Sequence, residues 1–182
     1  YVVTYHQDVL FSGPLRFPEQ LHHRWLGMTI LRKARRVLAT SLDYARSSRL
    51  APLMERHQSL VGEMPNGVDA RRFHPDVDAG DLRARYGLEP DAQILLFVGA
   101  LDRAHYFKGV DVLLQALANL PDQGVRLLVI GDGDLRPVYQ KQSADLGLAD
   151  RVIFCGRVPD ADLPAHYALC DLLVLPSTPM GE

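Results

Sequence analysis

Apolar residues along this chain follow two periods. The run Ile94-Leu95-Leu96-Phe97-Val98 has no polar alternation, so both of its faces should be covered, as in a central parallel strand. Downstream, Val110, Leu113, Leu114 and Leu117 recur at i, i+3, i+4 and i+7, the single stripe of an amphipathic helix. Similar patterning predicts strands at 94–98, 125–130, 152–155 and 172–175, with helices at 109–119, 134–146 and 160–170 between them. Alternation of this kind implies right-handed β-α-β crossovers and a doubly wound parallel sheet.

The first third of the chain is patterned differently. Tyr1-Val2-Val3-Thr4 reads as a strand, and Ser12, Gly13, Pro14 and Pro18 mark a loop over 10–18. Leu21, Trp25 and Met28 then set helical spacing through about residue 34. A strand at 36–40, a short helix at 43–50 and a strand at 59–62 follow. Met64-Pro65-Asn66-Gly67-Val68-Asp69, with Phe73-His74-Pro75, has the chemistry of turn and linker, with Gly67 suited to positive φ. It places a boundary between residues 1–64 and 79–182, joined by 65–78, with a brief helix at 82–86 opening the second part. The chain starts without methionine inside a strand and stops at Glu182 just past another, so both domains are expected to be incomplete.

Composition narrows the function classes. With 182 residues, 47% hydrophobic content and net charge −2, the chain reads as soluble and globular, with no global field to attract nucleic acid. No apolar run approaches the roughly 20 residues that span a bilayer, and the first residues lack signal-peptide character. That absence says little in a chain that starts without methionine; the cysteines favour a reducing compartment, and a cytoplasmic location is expected. Cys155 and Cys170 are too far apart for a redox or zinc pair and sit in apolar contexts, which suggests buried free thiols. His22 and His23 are adjacent and therefore diverge on a helix, so no metal site is expected.

In a doubly wound sheet, ligands bind outside the carboxyl ends of the strands, where strand order reverses. That rule selects residues 99–108, 131–134, 156–160 and 176–182. Lys108 stands out because it adds a point charge where a loop meets a helix N-terminus, an arrangement suited to phosphate. Gly131-Asp132-Gly133 is not a dinucleotide fingerprint, since Arg136 stands where the third glycine is required. Asp160 is placed to cap the helix after Gly156.

Taken in order, these loops resemble the C-terminal half of the retaining glycosyltransferases of family 4, the glycosyl transferases group 1. The resemblance rests on Pro65-Asn66-Gly67-Val68-Asp69 with Phe73 and Pro75, Phe97-Val98-Gly99, Lys108-Gly109, Val129-Ile130-Gly131-Asp132-Gly133, Val152-Ile153-Phe154-Cys155-Gly156, and Leu175-Pro176-Ser177 with Gly181-Glu182. It implies a GT-B fold of two Rossmann-like doubly wound domains. Residues 1–64 would be the end of the acceptor-side domain and 79–182 the start of the donor-binding one. It also implies that Lys108 holds the donor diphosphate, and that Glu182 is the first of two glutamates contacting the donor sugar and ribose.

Thr4-Tyr5-His6-Gln7-Asp8-Val9 resembles the strand end that sets a histidine beside the donor sugar, which makes His6 the third catalytic candidate. Gly99, Gly131 and Gly133 would line the donor, and Arg157 and Val158 would neighbour the base. One departure stands out. The family usually has arginine directly after the strand glycine, whereas this chain has Ala100 and a longer loop in which Arg103 or His105 are the available cations.

The activity implied is transfer of a sugar from a nucleotide-diphosphate sugar to an acceptor hydroxyl, with retention and without metal or cofactor. Glycan or lipid-linked acceptors are implied, with peripheral contact at the inner membrane face. Arg32, Lys33, Arg35 and Arg36 are either a lipid contact or a solvated helix end. The alternatives are a noncatalytic nucleotide-sugar binding module or a GT-B nucleotide-sugar epimerase. The chain alone is expected to be inactive.

Overall fold

In the computed structural model, which describes residues 1–6, 16–121 and 124–178, the chain forms two units, Tyr1–Val68 and Asp69–Glu182. The first is built on a parallel sheet of β1 (Val2–Tyr5), β2 (Arg36–Ala39) and β3 (Val61–Glu63), in that order. Between β1 and β2 run α1 (Arg16–His22), a π-helical turn (His23–Gly27) and α2 (Met28–Lys33). Met28 and Leu31 join Val37, Ala39 and Leu53 in the core of this unit. Helix therefore begins at Arg16, inside the stretch expected to be loop; residues 10–15 lie outside the described residues.

The single helix expected at 43–50 is two, α3 (Leu42–Ser47) and α4 (Ala51–Arg56). Ser47 and Ser48 cause the break. Ser47 Oγ donates to the carbonyls of Asp43 and Tyr44. Ser48 Oγ donates to the Ala45 carbonyl and accepts from Leu50 N–H. These side-chain bonds compete with the helical ladder, and Pro52 then starts α4 without losing a bonded N–H. Ser41 caps α3, its Oγ accepting from Tyr44 N–H at 3.0 Å. Ser41→Ala should therefore cost about 1 kcal/mol in urea unfolding.

The second unit is a four-stranded sheet of β4 (Gln93–Val98), β5 (Val125–Ile130), β6 (Val152–Gly156) and β7 (Leu172–Leu173). Every pairing is parallel and the order is β6-β5-β4-β7. Helices α6 (Val110–Asn119), α7 (Arg136–Asp145) and α8 (Leu163–Leu169) make the crossovers, and α5 (Leu82–Arg85) precedes β4. Both faces of β4 are covered, as its apolar run predicts. Phe97 packs with Leu114, Leu127 and Val129 on one side, while Ile94 and Leu96 pack with Leu128, Ile130 and Leu169 on the other.

Several local expectations are corrected. The loop after Gly99 contains a 3-10 helix, Arg103–Lys108, because Asp102 Oδ1 accepts from the Ala104 and His105 N–H groups and caps it. Helix α8 starts at Leu163, not 160, and Asp160 is no cap: its carbonyl and carboxylate both receive Arg72 Nη2 at 2.9 Å. Gly67 does not adopt positive φ, and a Cβ there would meet nothing within 4 Å. Within the expected linker, Arg72 makes that ion pair and Phe73 stacks edge-on against Tyr167 at 5.7 Å, both with the second unit. Cys155 and Cys170 are free but only half-buried, and burial pushes both thiols up.

Candidate functional site

Strand order reverses between β4 and β7, so the crevice that binds ligands in such sheets lies beyond their carboxyl ends. Three loops meet there at backbone contact. A Cβ at Gly131 would lie 1.8 Å from the Gly99 carbonyl oxygen, and one at Gly133 would lie 2.4 Å from that of Leu101. A Cβ at Gly109 would lie 2.2 Å from the Pro176 carbonyl oxygen. Hydrogen bonds fix the same approach. Gly99 N–H donates to Ile130, Leu101 N–H to Asp132, and Thr178 N–H to Phe107, at 2.9, 3.0 and 2.7 Å.

Lys108 sits at this junction. Its chain folds back over the end of β4, with Cδ and Nζ only 2.9 and 3.0 Å from where a Gly99 Cβ would be. The side chain is half-buried and, among the described residues, has no ion-pair or hydrogen-bond partner. Next to it Gly109 takes φ +73°, a left-handed turn that starts α6 with no side-chain cap. First-turn N–H groups of a helix lack intrahelical acceptors. An ammonium and uncapped amides thus converge at one sheet edge, a combination that binds anions.

Two acids of the adjoining loops are already engaged. Asp102 receives His105 Nδ1 at 2.7 Å, and this hydrogen bond is the main reason its carboxyl titrates below the usual range. Asp134 takes the Arg103 backbone N–H and Nε, both at 3.1 Å. Arg103 and His105, the two cations available in place of the family arginine, are therefore each held by an acid on the rim. Asp132 caps the Gly133 N–H at 2.9 Å.

Arg136 was legible in the sequence only as a break in a glycine pattern. It occupies the first turn of α7, where the helix dipole disfavours a cation, and that misfit was the available signal. Its Nη1 lies 3.6 Å from Asp132 and 3.3 Å from where a Gly156 Cβ would be, and Nη2 donates to the Phe154 carbonyl at 3.3 Å. It ties the β5 and β6 loops together.

Beneath β6, the Tyr86 hydroxyl meets His166 Nε2 at 2.8 Å, while His166 Nδ1 bonds the Asp162 carbonyl at 2.8 Å. A carbonyl can only accept, so Nδ1 carries a proton, and in the neutral imidazole Nε2 is the acceptor for the Tyr86 hydroxyl. Burial, then a hydrogen bond with Cys155, push the Tyr86 hydroxyl up to about 12. This network braces the strand end leading to Arg157, which is exposed, and Val158, which packs on the core.

The remaining sequence candidates are not all brought together. His6 follows β1 at its carboxyl end and is exposed, in the first unit. Glu182 lies outside the described residues. Among the described residues no three His, Cys, Asp or Glu side chains are grouped to hold a metal ion. No helix there is long and apolar enough to cross a membrane.

Comparison with known proteins follows the same residues. Residues 92–182 match the family model for glycosyl transferases group 1. The chain is 32% identical over 184 residues to a GDP-mannose-dependent alpha-(1-6)-phosphatidylinositol monomannoside mannosyltransferase of Mycolicibacterium smegmatis, covering 93% of this chain and 46% of that protein. It is 30% identical over 189 residues to the 2-deoxystreptamine glucosyltransferase of Streptomyces kanamyceticus, covering 97% and 46%. Anabaena HepE, crystallised in complex with UDP, superposes with TM-score 0.71 at 27% identity, over 97% of this chain and 47% of that one. The chain spans about half the length of the curated relatives it matches. With two parallel sheets, a strand-order switch in the second and these matches, it is an incomplete pair of Rossmann-like domains of GT-B type and belongs to the glycosyl transferases group 1 family.

Proposed function

We propose that the protein containing this chain transfers a sugar from a nucleotide-diphosphate donor to an acceptor hydroxyl, with retention of configuration and without a metal. The observation that carries this reading is Lys108, half-buried and unpartnered among the described residues, where three loops touch at backbone distance. As the bond from sugar to diphosphate breaks, negative charge grows on the leaving group. A fixed ammonium at 108 stabilises that state more than the ground state.

The family membership and the activities of the named relatives support the same chemistry. In this reading Glu182 and His6 contact the donor sugar. Gly99, Gly131, Gly133, Arg103, Arg157 and Val158 line the donor, the glycines through their backbone. The acceptor is a glycan or a lipid-linked hydroxyl, met by a peripheral enzyme on the cytoplasmic face of the membrane. The phosphatidylinositol mannoside named for one relative favours the lipid-linked choice.

The test is thermal melting of the protein with UDP-, GDP- and ADP-sugars. One of them at about 100 times its Kd should stabilise the fold by about 2.7 kcal/mol. Failure of all three overturns the donor site. Transfer to an acceptor without epimerised donor then separates this reading from an epimerase and from a noncatalytic binding module.

A further inference from the structure

The loop that carries Lys108 holds another side chain with an unused polar atom. Asp102 Oδ1 caps the 3-10 helix through the Ala104 and His105 N–H groups, and it also takes His105 Nδ1 at 2.7 Å. Capping needs only the backbone contacts, so the bond to the imidazole is additional to the cap. An ionised carboxylate only accepts, so Nδ1 carries a proton and Nε2 is the nitrogen turned away from Asp102. Nε2 has no hydrogen-bond partner among the described residues, and the side chain is 42% exposed. The helical run breaks at His105, whose φ of −113° and ψ of 17° turn the chain between Asp102 and Lys108. Both ends of the loop are pinned to its neighbours, by Leu101 N–H on the Asp132 carbonyl and by Thr178 N–H on the Phe107 carbonyl. His105 therefore stands on the segment held beyond the carboxyl end of β4, three residues before Lys108.

We propose that His105 is a second donor-binding residue, whose protonated ring gives Nε2–H to an oxygen of the donor diphosphate while Nδ1–H stays on Asp102. The diphosphate of a nucleotide sugar has an ionised oxygen on each phosphorus, and Lys108 supplies a single ammonium. An imidazolium has a donor at each ring nitrogen, so its bond to Asp102 fixes the ring and leaves the second donor free. The Asp102–His105 pair carries no net charge. Lys108 thus contributes charge, and His105 a directed hydrogen bond. The neutral ring, with Nδ1–H on Asp102, presents a lone pair at Nε2 and repels the same oxygen, so donor binding is gated by pH. The charged groups on the elements packed around His105 are Asp102, Arg103 and Lys108 of its own loop, Asp132 and Asp134 of the β5 loop, and Asp111 of α6. None of these is a histidine, the side chain whose unperturbed charge change falls between about pH 5 and 8.

The inference rests on the donor site of the proposed function. Its test is calorimetric titration of the complete enzyme with UDP-glucose, GDP-mannose and ADP-glucose at about pH 6 and about pH 8. These sugar nucleotides lack the singly esterified phosphate that titrates at about pH 6, so the charge of the ligand stays fixed. Affinity for the sugar nucleotide that binds is expected to fall about tenfold from the lower pH to the higher, the usual worth of one charge-assisted hydrogen bond. His105→Ala keeps the Asp102 cap and should melt like the parent, yet bind about tenfold more weakly at the lower pH with no further fall at the higher. Asp102→Asn keeps an oxygen for the cap but withdraws the carboxylate that favours the imidazolium, so its binding should already be weakened at the lower pH. Lys108→Ala should weaken binding at both while keeping the fall. Equal parental affinity at the two pH values, or a fall that survives in His105→Ala and so belongs to another histidine such as His6, would overturn the proposal. Failure of all three sugar nucleotides at both pH values overturns the donor site and this inference with it, whereas pH-independent binding removes only His105.

Discussion

Lys108→Ala in the complete enzyme is expected to lower kcat by about 10²–10³, the usual cost of removing one preorganised electrostatic contact to developing charge. The expectation follows from what the structure withholds from this side chain. Arg103 and His105 are each engaged by an acid, Asp134 and Asp102, whereas Lys108 has none among the described residues. A cation already satisfied by a neighbouring carboxylate must give up that contact to serve a diphosphate, and an unpaired one need not. Loss of the lysine should cost little stability, because half-buried side chains without partners contribute little to the fold. The measurement is steady-state turnover with the donor identified by melting, together with the melting temperature of the variant. Near-normal kcat in a folded Lys108→Ala enzyme would remove Lys108 from the mechanism. Lys108→Arg is expected to recover only part of the rate, since the ammonium rests in the space left by the missing Gly99 Cβ, and a planar guanidinium is a poor substitute for a point charge there.

Much of this site was legible beforehand, for physical reasons that differ between elements. The β4 run and the α6 stripe were readable because burial on two faces and on one face leave different periods. Their order alone puts Lys108 beyond the carboxyl end of the sheet. Helix α4 was not readable, because Ser47 and Ser48 end α3 through their own side-chain bonds, a local competition that apolar spacing does not register. Asp160 had the right chemistry for a cap but its carboxylate is taken by Arg72, 88 positions away. Pairings that distant leave no periodic trace. Arg136 and the Tyr86–His166 contact belong to the same class, since each joins elements that only the folded sheet brings together. The close backbone approaches at Gly99, Gly131 and Gly133 were visible as glycines, but not as contacts.

Those approaches lead to the second large effect. Gly131→Ala is expected to destabilise the second unit by about 2–6 kcal/mol, combining roughly 1–3 for a strained backbone and roughly 1–3 for overpacking. Gly131 has φ +147°, a region that L side chains rarely occupy, and its Cβ would lie 1.8 Å from the Gly99 carbonyl oxygen. That oxygen belongs to the backbone, so no rotamer change relieves the overlap. The ends of β4 and β5 must separate, against the bond from Gly99 N–H to Ile130, and any shift of Gly131 also disturbs its N–H bond to Gly156 at the end of β6, each 2.9 Å. Gly67→Ala is the matched control: its φ is not positive and its Cβ meets nothing within 4 Å, so its effect should stay within about 0.5 kcal/mol. Urea unfolding of both variants beside the parent decides the matter, and equal stability for the two would mean that the β4 and β5 loops do not touch. Because the same contact seats the loop bearing Lys108, whatever Gly131→Ala protein remains folded should also bind donor more weakly. A variant with parental donor binding would show that Lys108 is positioned from the β7 side alone, through Gly109 and Pro176.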